Sequence, residues 1–173
     1  MNLSKLKDLL PGKPLKNKLF YRMVNAEYSS QIDEIGHSIL TGWRYNPKGE
    51  FGVLYLASHP KCAFKEKLKQ AFGKSVYLRP QVLGSFTVTL KHVLDLTDMN
   101  IVQLLGTSVT RLTAQDDFSE PQAIARDARN MGFEGMIVPS AVGEECTNLV
   151  VFKDHLSRNS FCELKKTKTY KTS

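Results

Sequence analysis

Alternation of apolar and polar positions divides the chain into short strands separated by helical stretches. Residues 51–57 (FGVLYLA) form an apolar run rich in aromatic and branched side chains, the pattern of a buried strand. Residues 82–90 (VLGSFTVTL) alternate and read as a second strand, continued or bent into residues 93–96. Residues 18–24 (KLFYRMV), 136–138 and 149–152 read as further strands, the last two joined by a polar loop (GEECTN). Helical spacing over residues 60–72 puts Ala63, Phe64, Leu68 and Ala71 on one apolar face, with Ser58 as the expected N-cap and Pro60 in the first turn. Residues 119–130 form a second predicted helix, ended by Gly132. Shorter helices are expected over residues 3–10, stopped by Pro11-Gly12, and over 97–105, capped by Thr97 or Asp98. Residues 29–40 are a weak helix or structured loop, and 108–118 a loop. Short strands mixed with a few helices predict a single α+β domain: a mixed, mostly short-stranded sheet with flanking helices.

The densest chemistry lies between Gly42 and Leu68. Arg44, Tyr55 and Glu66 follow one another at intervals of eleven residues: before the strand, within it, and on the next helix. A strand delivers Tyr55 to one face of a sheet, and a helix packed on that face can bring Glu66 beside it. Taken one by one, each has an ordinary alternative: a solvated arginine near a turn, a core tyrosine, and a glutamate facing water on a lysine-rich helix.

The wider pattern resembles a known family. Residues 42–49 (GWRYNPKG), then VLYLA, then an alanine-aromatic-x-Glu helix resemble the RES domain, named for an arginine, a glutamate and a serine. Residues 131–152 (MGFEGMIVPSAVGEECTNLVVF) are similar to the family's Pro-Ser segment and its last core strand. On that match Arg44, Glu66 and Ser140 are the three named residues, Tyr55 is their accompanying tyrosine, and Asn148 is the asparagine before the last strand. Tyr21-Arg22 resembles the opening strand. The resemblance covers about residues 19–153; Trp43, where the family usually has a small residue, departs from it and implies an altered pocket mouth.

The resemblance implies a cleft like that of ADP-ribosyltransferases, in which NAD is bound and its nicotinamide–ribose bond broken. NAD would be a consumed substrate, with no cofactor held permanently; no G-x-G-x-x-G turn points to a Rossmann hydride-transfer site. Arginine suits a pyrophosphate because its planar fork makes paired hydrogen bonds, which nominates Arg44 with assistance from Arg22. Tyr55 offers a face for the nicotinamide ring. Glu66 is placed to stabilise positive charge developing on the ribose, or to hold a ribose hydroxyl or the nucleophile. Ser140 and Asn148 offer neutral hydrogen bonds, and Tyr21 joins Arg22 on the binding side. Acceptor water would make an NAD glycohydrolase, phosphate an NAD phosphorylase, and a protein side chain a mono-ADP-ribosyltransferase. The resemblance further implies a bacterial toxin of a toxin–antitoxin pair, with a separate Xre-like helix-turn-helix antitoxin through which any nucleic-acid contact would run.

Charge and cysteine content change this picture little. The net charge of +7 belongs to the ends: residues 1–18 and 165–173 together carry +8, leaving −1 for residues 19–164. These stretches are expected as a basic N-terminal segment and a basic C-terminal tail around the catalytic domain. Lysine-rich ends keep open an RNA-directed toxin, although the central domain lacks positive charge and RRM-type strands. A non-catalytic interaction domain is a further alternative. Three cysteines without a C-x-x-C pair suggest neither a disulfide framework nor a zinc site, and the four histidines show no metal-ligand spacing. No secretory signal or run of ~20 apolar residues is apparent, so a cytoplasmic, membrane-free location is expected.

Overall fold

A computed structural model describes residues 1–75 and 78–170. It is a single α+β domain built on one mixed sheet of seven strands, with helices packed against it. The strands are β1 (Leu15–Asn25), β2 (Leu54–Ala57), β3 (Gln81–Leu90), β4 (Val93–Asp95), β5 (Gly135–Pro139), β6 (Thr147–Val151) and β7 (Phe161–Tyr170). Their order across the sheet is β4-β5-β6-β2-β1-β3-β7. Only β4 and β5 pair in parallel, and their crossover carries helices α3 (Met99–Leu104), α4 (Val109–Leu112) and α5 (Ser119–Asn130). Helix α1 (Gly36–Thr41) precedes β2, and α2 (Pro60–Gln70) follows it. No helix among the described residues is long and apolar enough to cross a membrane.

The two faces of the sheet bury different cores, as the period of two requires. One face carries Phe20, Val24, Leu54, Leu56, Phe86, Val88, Leu149 and Val151, covered by Ile32 and flanked by Ile35 and Leu156. The other carries Met136, Val138 and Val150 under Ile124, Ala125 and Ala128 of α5, and continues as Met23, Ala57 and Leu83 under Cys62 and Ala63 of α2. The functional candidates on α2 therefore sit over this second face.

Tertiary pairing moves several boundaries. The strand expected over residues 51–57 keeps only Leu54–Ala57, because β6 offers a pairing partner for those four residues alone. Residues 93–96 do not continue β3: Val93–Asp95 pairs with β5 at the far edge of the sheet. His59, not Ser58, caps α2, its Nδ1 accepting from the Lys61 amide at 3.2 Å. The Ser58 hydroxyl instead accepts from the Thr147 amide at 3.3 Å. Residues 3–10 form a 3₁₀ turn over Leu3–Leu9, and the loop at 108–118 contains α4, capped by the Ser108 hydroxyl. Lys165 to Tyr170, expected within a tail, lie in β7. Their Lys-Thr alternation pairs with β3 from Lys166↔Ser85 to Tyr170↔Gln81, while residues 171–173 of that tail lie outside the described residues. The lysines on this edge strand discourage pairing with another chain.

One buried acid organises a corner of the fold. Glu134 is 1% exposed and accepts from the amides of Lys91 (2.6 Å), His92 (3.3 Å) and Ser157 (2.7 Å) and from the Ser160 hydroxyl (2.9 Å). Burial pushes its pKa up, but the bonds from Ser157, Lys91 and Ser160 outweigh it and hold the carboxyl down at about 2. The folded pKa lies below the ordinary value of 4.5, so the stabilisation is present above pH 4.5 and is lost as pH falls toward 2. Glu134→Gln is expected to lower stability by roughly 1–3 kcal/mol at pH 7. Urea midpoints taken from pH 7 to pH 3 should show the gap between the two proteins closing.

Candidate functional site

The arginine enters the site through a tight turn. Gly42 adopts φ +65°, and a Cβ there would lie 2.7 Å from the Lys48 amide nitrogen, so the residue must be glycine. The Trp43 amide donates to the Asn46 carbonyl (2.8 Å) and the Asn46 amide returns to Trp43 (3.2 Å), leaving Arg44 and Tyr45 at the tip. Tyr55 on β2 closes this turn: its hydroxyl accepts from the Tyr45 amide at 2.9 Å and donates to Asn46 Oδ1 at 2.8 Å. Asn46 is fully buried and donates onward to the Ser38 carbonyl at 2.7 Å. Burial pushes the pKa of the Tyr55 phenol well up, and of the Tyr45 phenol likewise, so both hydroxyls keep their protons.

Arg44 uses one terminal nitrogen, Nη1, to reach the carbonyls of Leu112, the last residue of α4, and of Ala114 just beyond it. Its guanidinium lies 4.8 Å from the centroid of the Phe118 ring, which also meets Trp43 at 5.8 Å. Nη2 and Nε make no hydrogen bond among the described residues.

Glu66 comes to the same face from α2. Its Oε1 accepts from the Ser140 hydroxyl at 2.7 Å and from Asn148 Nδ2 at 2.9 Å, while Oε2 accepts no hydrogen bond among the described residues. Ser140 is 8% exposed, and its oxygen also accepts from the Val142 amide at 3.2 Å. Asn148 pairs across the sheet with Val138 on one side and Ala57 on the other. Tyr55, two residues before Ala57, points to that same face. Two neutral donors thus fix one of the two carboxylate oxygens.

The structure brings together Glu66, Ser140 and Asn148 directly, and Arg44 and Tyr55 through the Trp43–Asn46 turn. It does not gather the Tyr21-Arg22 pair. Adjacent strand residues face opposite ways, so Tyr21 lies on the α2 face, its ring 6.5 Å from that of His59. Arg22 lies on the other face, where its Nη1 donates to the carbonyls of Ile32 (3.0 Å) and Glu34 (3.4 Å). Burial lowers the Arg22 pKa, against the opposing pull of Asp33. The sequence also gave no sign of the role of Asn46, although its place before Pro47 marks the turn that it anchors. Nor did it suggest the disulfide between Cys62 and Cys146. Contrary to the expectation of no disulfide framework, these two cysteines are bonded: they stand 84 residues apart, and only packing of α2 beside β6 makes them neighbours.

On this mixed sheet a serine and an asparagine hold a helix-borne carboxylate, and the turn before β2 presents an arginine. The family profile described as "RES domain" matches residues 19–170, and the chain belongs to that family. Among solved structures, the chain is similar to one described as the crystal structure of the M. tuberculosis MbcT–MbcA toxin–antitoxin complex. The TM-score is 0.78 at 24% identity, over 97% of this chain and 91% of that one, which establishes the shared fold. No curated protein gives a significant match.

Replacing Tyr55 by Phe removes the hydroxyl that satisfies the Tyr45 amide and the Asn46 side chain. Tyr55→Phe is expected to lower stability by roughly 1–3 kcal/mol, read as a fall in melting temperature of about 2–10 °C.

Proposed function

We propose that this protein is a toxin that consumes NAD by breaking the bond between nicotinamide and ribose, and that a separate antitoxin of helix-turn-helix type neutralises it. The observation that carries this reading is the Glu66 carboxylate, pinned through Oε1 by Ser140 and Asn148 with Oε2 unengaged. Membership of the RES family and the likeness to a toxin–antitoxin structure support it.

In this mechanism the C–N glycosidic bond breaks, and its electron pair leaves with nicotinamide, which departs neutral. Positive charge develops on the ribose, and the carboxylate stabilises it more in the transition state than in the ground state. Ser140 and Asn148 hold the carboxylate in place, so little reorganisation is needed as the charge appears. The acceptor oxygen, from water or phosphate, then bonds to the anomeric carbon and loses its proton. Arg44 grips the pyrophosphate with Nη2 and Nε while Nη1 stays on the C-terminal end of α4. The Tyr55 ring forms part of the floor against which nicotinamide lies. Tyr21 belongs to the rim on the α2 side, and Arg22 supports the sheet from behind.

Purified protein incubated with NAD, with and without phosphate, should release nicotinamide, followed by liquid chromatography with mass detection. ADP-ribose as co-product identifies water as the acceptor, and its 1″-phosphate identifies phosphate. Glu66→Gln retains a group able to accept from Ser140 but removes the charge. It should lower kcat by about 10²–10³-fold with KM changed little. Turnover unaffected by this substitution would rule out the mechanism.

A further inference from the structure

Cys62 and Cys146 form a disulfide with a Cα–Cα separation of 5.7 Å, whereas Cys162 is a buried free thiol. The position of the bond is informative. Cys62 lies one helical turn before Glu66 on α2, so the two side chains project from neighbouring positions of the same helix face. Cys146 closes the loop between the two donors that hold Glu66. Its carbonyl accepts from the Ser140 amide at 3.2 Å, its own amide donates to the Gly143 carbonyl at 3.0 Å, and Asn148 follows two residues later. The cross-link therefore joins the helix that carries the carboxylate to the segment that carries both of its donors.

The other ties between these segments are weaker. Lys65 and Glu145 form an ion pair at the surface, where Glu145 is 63% exposed, and such pairs contribute little. Further links among the described residues are the two hydrogen bonds to Glu66 itself, the contacts between Ser58 and Thr147, and the apolar packing of Ala63 and Phe64 with Val142 and Cys146. Both sulfurs are enclosed: Cys62 is 4% and Cys146 1% exposed, among Met23, Ala57, Ala63 and Leu83.

We propose that the Cys62–Cys146 disulfide is a positioning cross-link for the Glu66 carboxylate, and that its reduction by a dithiol uncouples α2 from Ser140 and Asn148 and slows turnover. The proposal rests on the reading of Glu66 given above. A reacting group is effective only when held within about 0.5 Å of its working position, and two hydrogen bonds to a loop that can open do not ensure this. In the reduction, a thiolate of the dithiol attacks the Cys146 sulfur and the S–S bond breaks. The electron pair leaves on Cys62, which takes up a proton. The second thiolate of the reductant then displaces Cys146, leaving two protein thiols and one oxidised dithiol, a transfer of two electrons. Cys62 lies in the first turn of α2, where the helix dipole stabilises a departing thiolate. Because both sulfurs are buried, attack requires the 140–146 loop to open locally.

The test uses protein purified without reductant. Alkylation after denaturation should add one label before reduction and three after it. Treatment with dithiothreitol should lower kcat for nicotinamide release by about ten- to hundredfold, with KM within about twofold. It should also raise amide hydrogen exchange over residues 140–148, and reoxidation should restore both. The Cys62→Ser/Cys146→Ser protein should start at the reduced value and ignore the reductant. Phe86→Leu, which weakens the opposite core, should lower the melting temperature without lowering kcat at 25 °C. Three labels before reduction would overturn the proposal. So would a reduced protein that melts earlier yet keeps its kcat and its exchange over 140–148. If no form cleaves NAD, the functional reading falls, and exchange alone decides the cross-link: an unchanged 140–148 segment refutes it, and a loosened one upholds its ordering role.

Discussion

One carboxylate oxygen gathers three parts of the chain. Glu66 on α2, Ser140 at the end of β5 and Asn148 on β6 meet at Oε1, with donor distances of 2.7 and 2.9 Å. A partly buried carboxylate is costly unless its oxygens are satisfied, and here two neutral donors satisfy one oxygen only. The arrangement demands that α2 pack flat on the sheet and that β5 and β6 form a hairpin with Val138 opposite Asn148. The packing of Cys62 and Ala63 against Met23, Ala57 and Leu83 meets the first demand.

The Tyr55 hydroxyl plays the corresponding part on the other side of the site. A phenol in a strand between two core layers needs a partner when buried, and the Trp43–Asn46 turn supplies both a donor and an acceptor. The turn is thereby tied to the sheet, and Arg44 at its tip is displayed from a supported backbone. Neutral hydrogen bonds thus support the segments that carry both charged groups.

Much of the α+β architecture was legible. The alternation in residues 82–90 reads directly as β3, and the helices at 60–72 and 119–130 stand close to α2 and α5. Other readings failed where local chemistry fits two outcomes. Ser58 and His59 are both able to cap α2, and only the proximity of Thr147 draws Ser58 away. A lysine-rich terminus suits a solvated tail, yet the threonines between the lysines also suit an edge strand, and β3 with an open edge decides the matter. Glu134 was not singled out in the sequence, because its four donors come from distant residues before β4 and before β7.

Period and punctuation are local properties of the chain, and they mark out β3, α2 and α5; β7 and α4 lie beyond their reach. The sequence also sets apart Arg44, Tyr55, Glu66, Ser140 and Asn148 as a group, since their order and flanking turns resemble the RES pattern. Tertiary structure alone decided that Glu66 meets Ser140 and Asn148, that Arg22 faces away from them, and that Cys62 finds Cys146. Each of these depends on which strands pair and in what register. Register is set by the burial of whole faces and leaves no mark within any short segment.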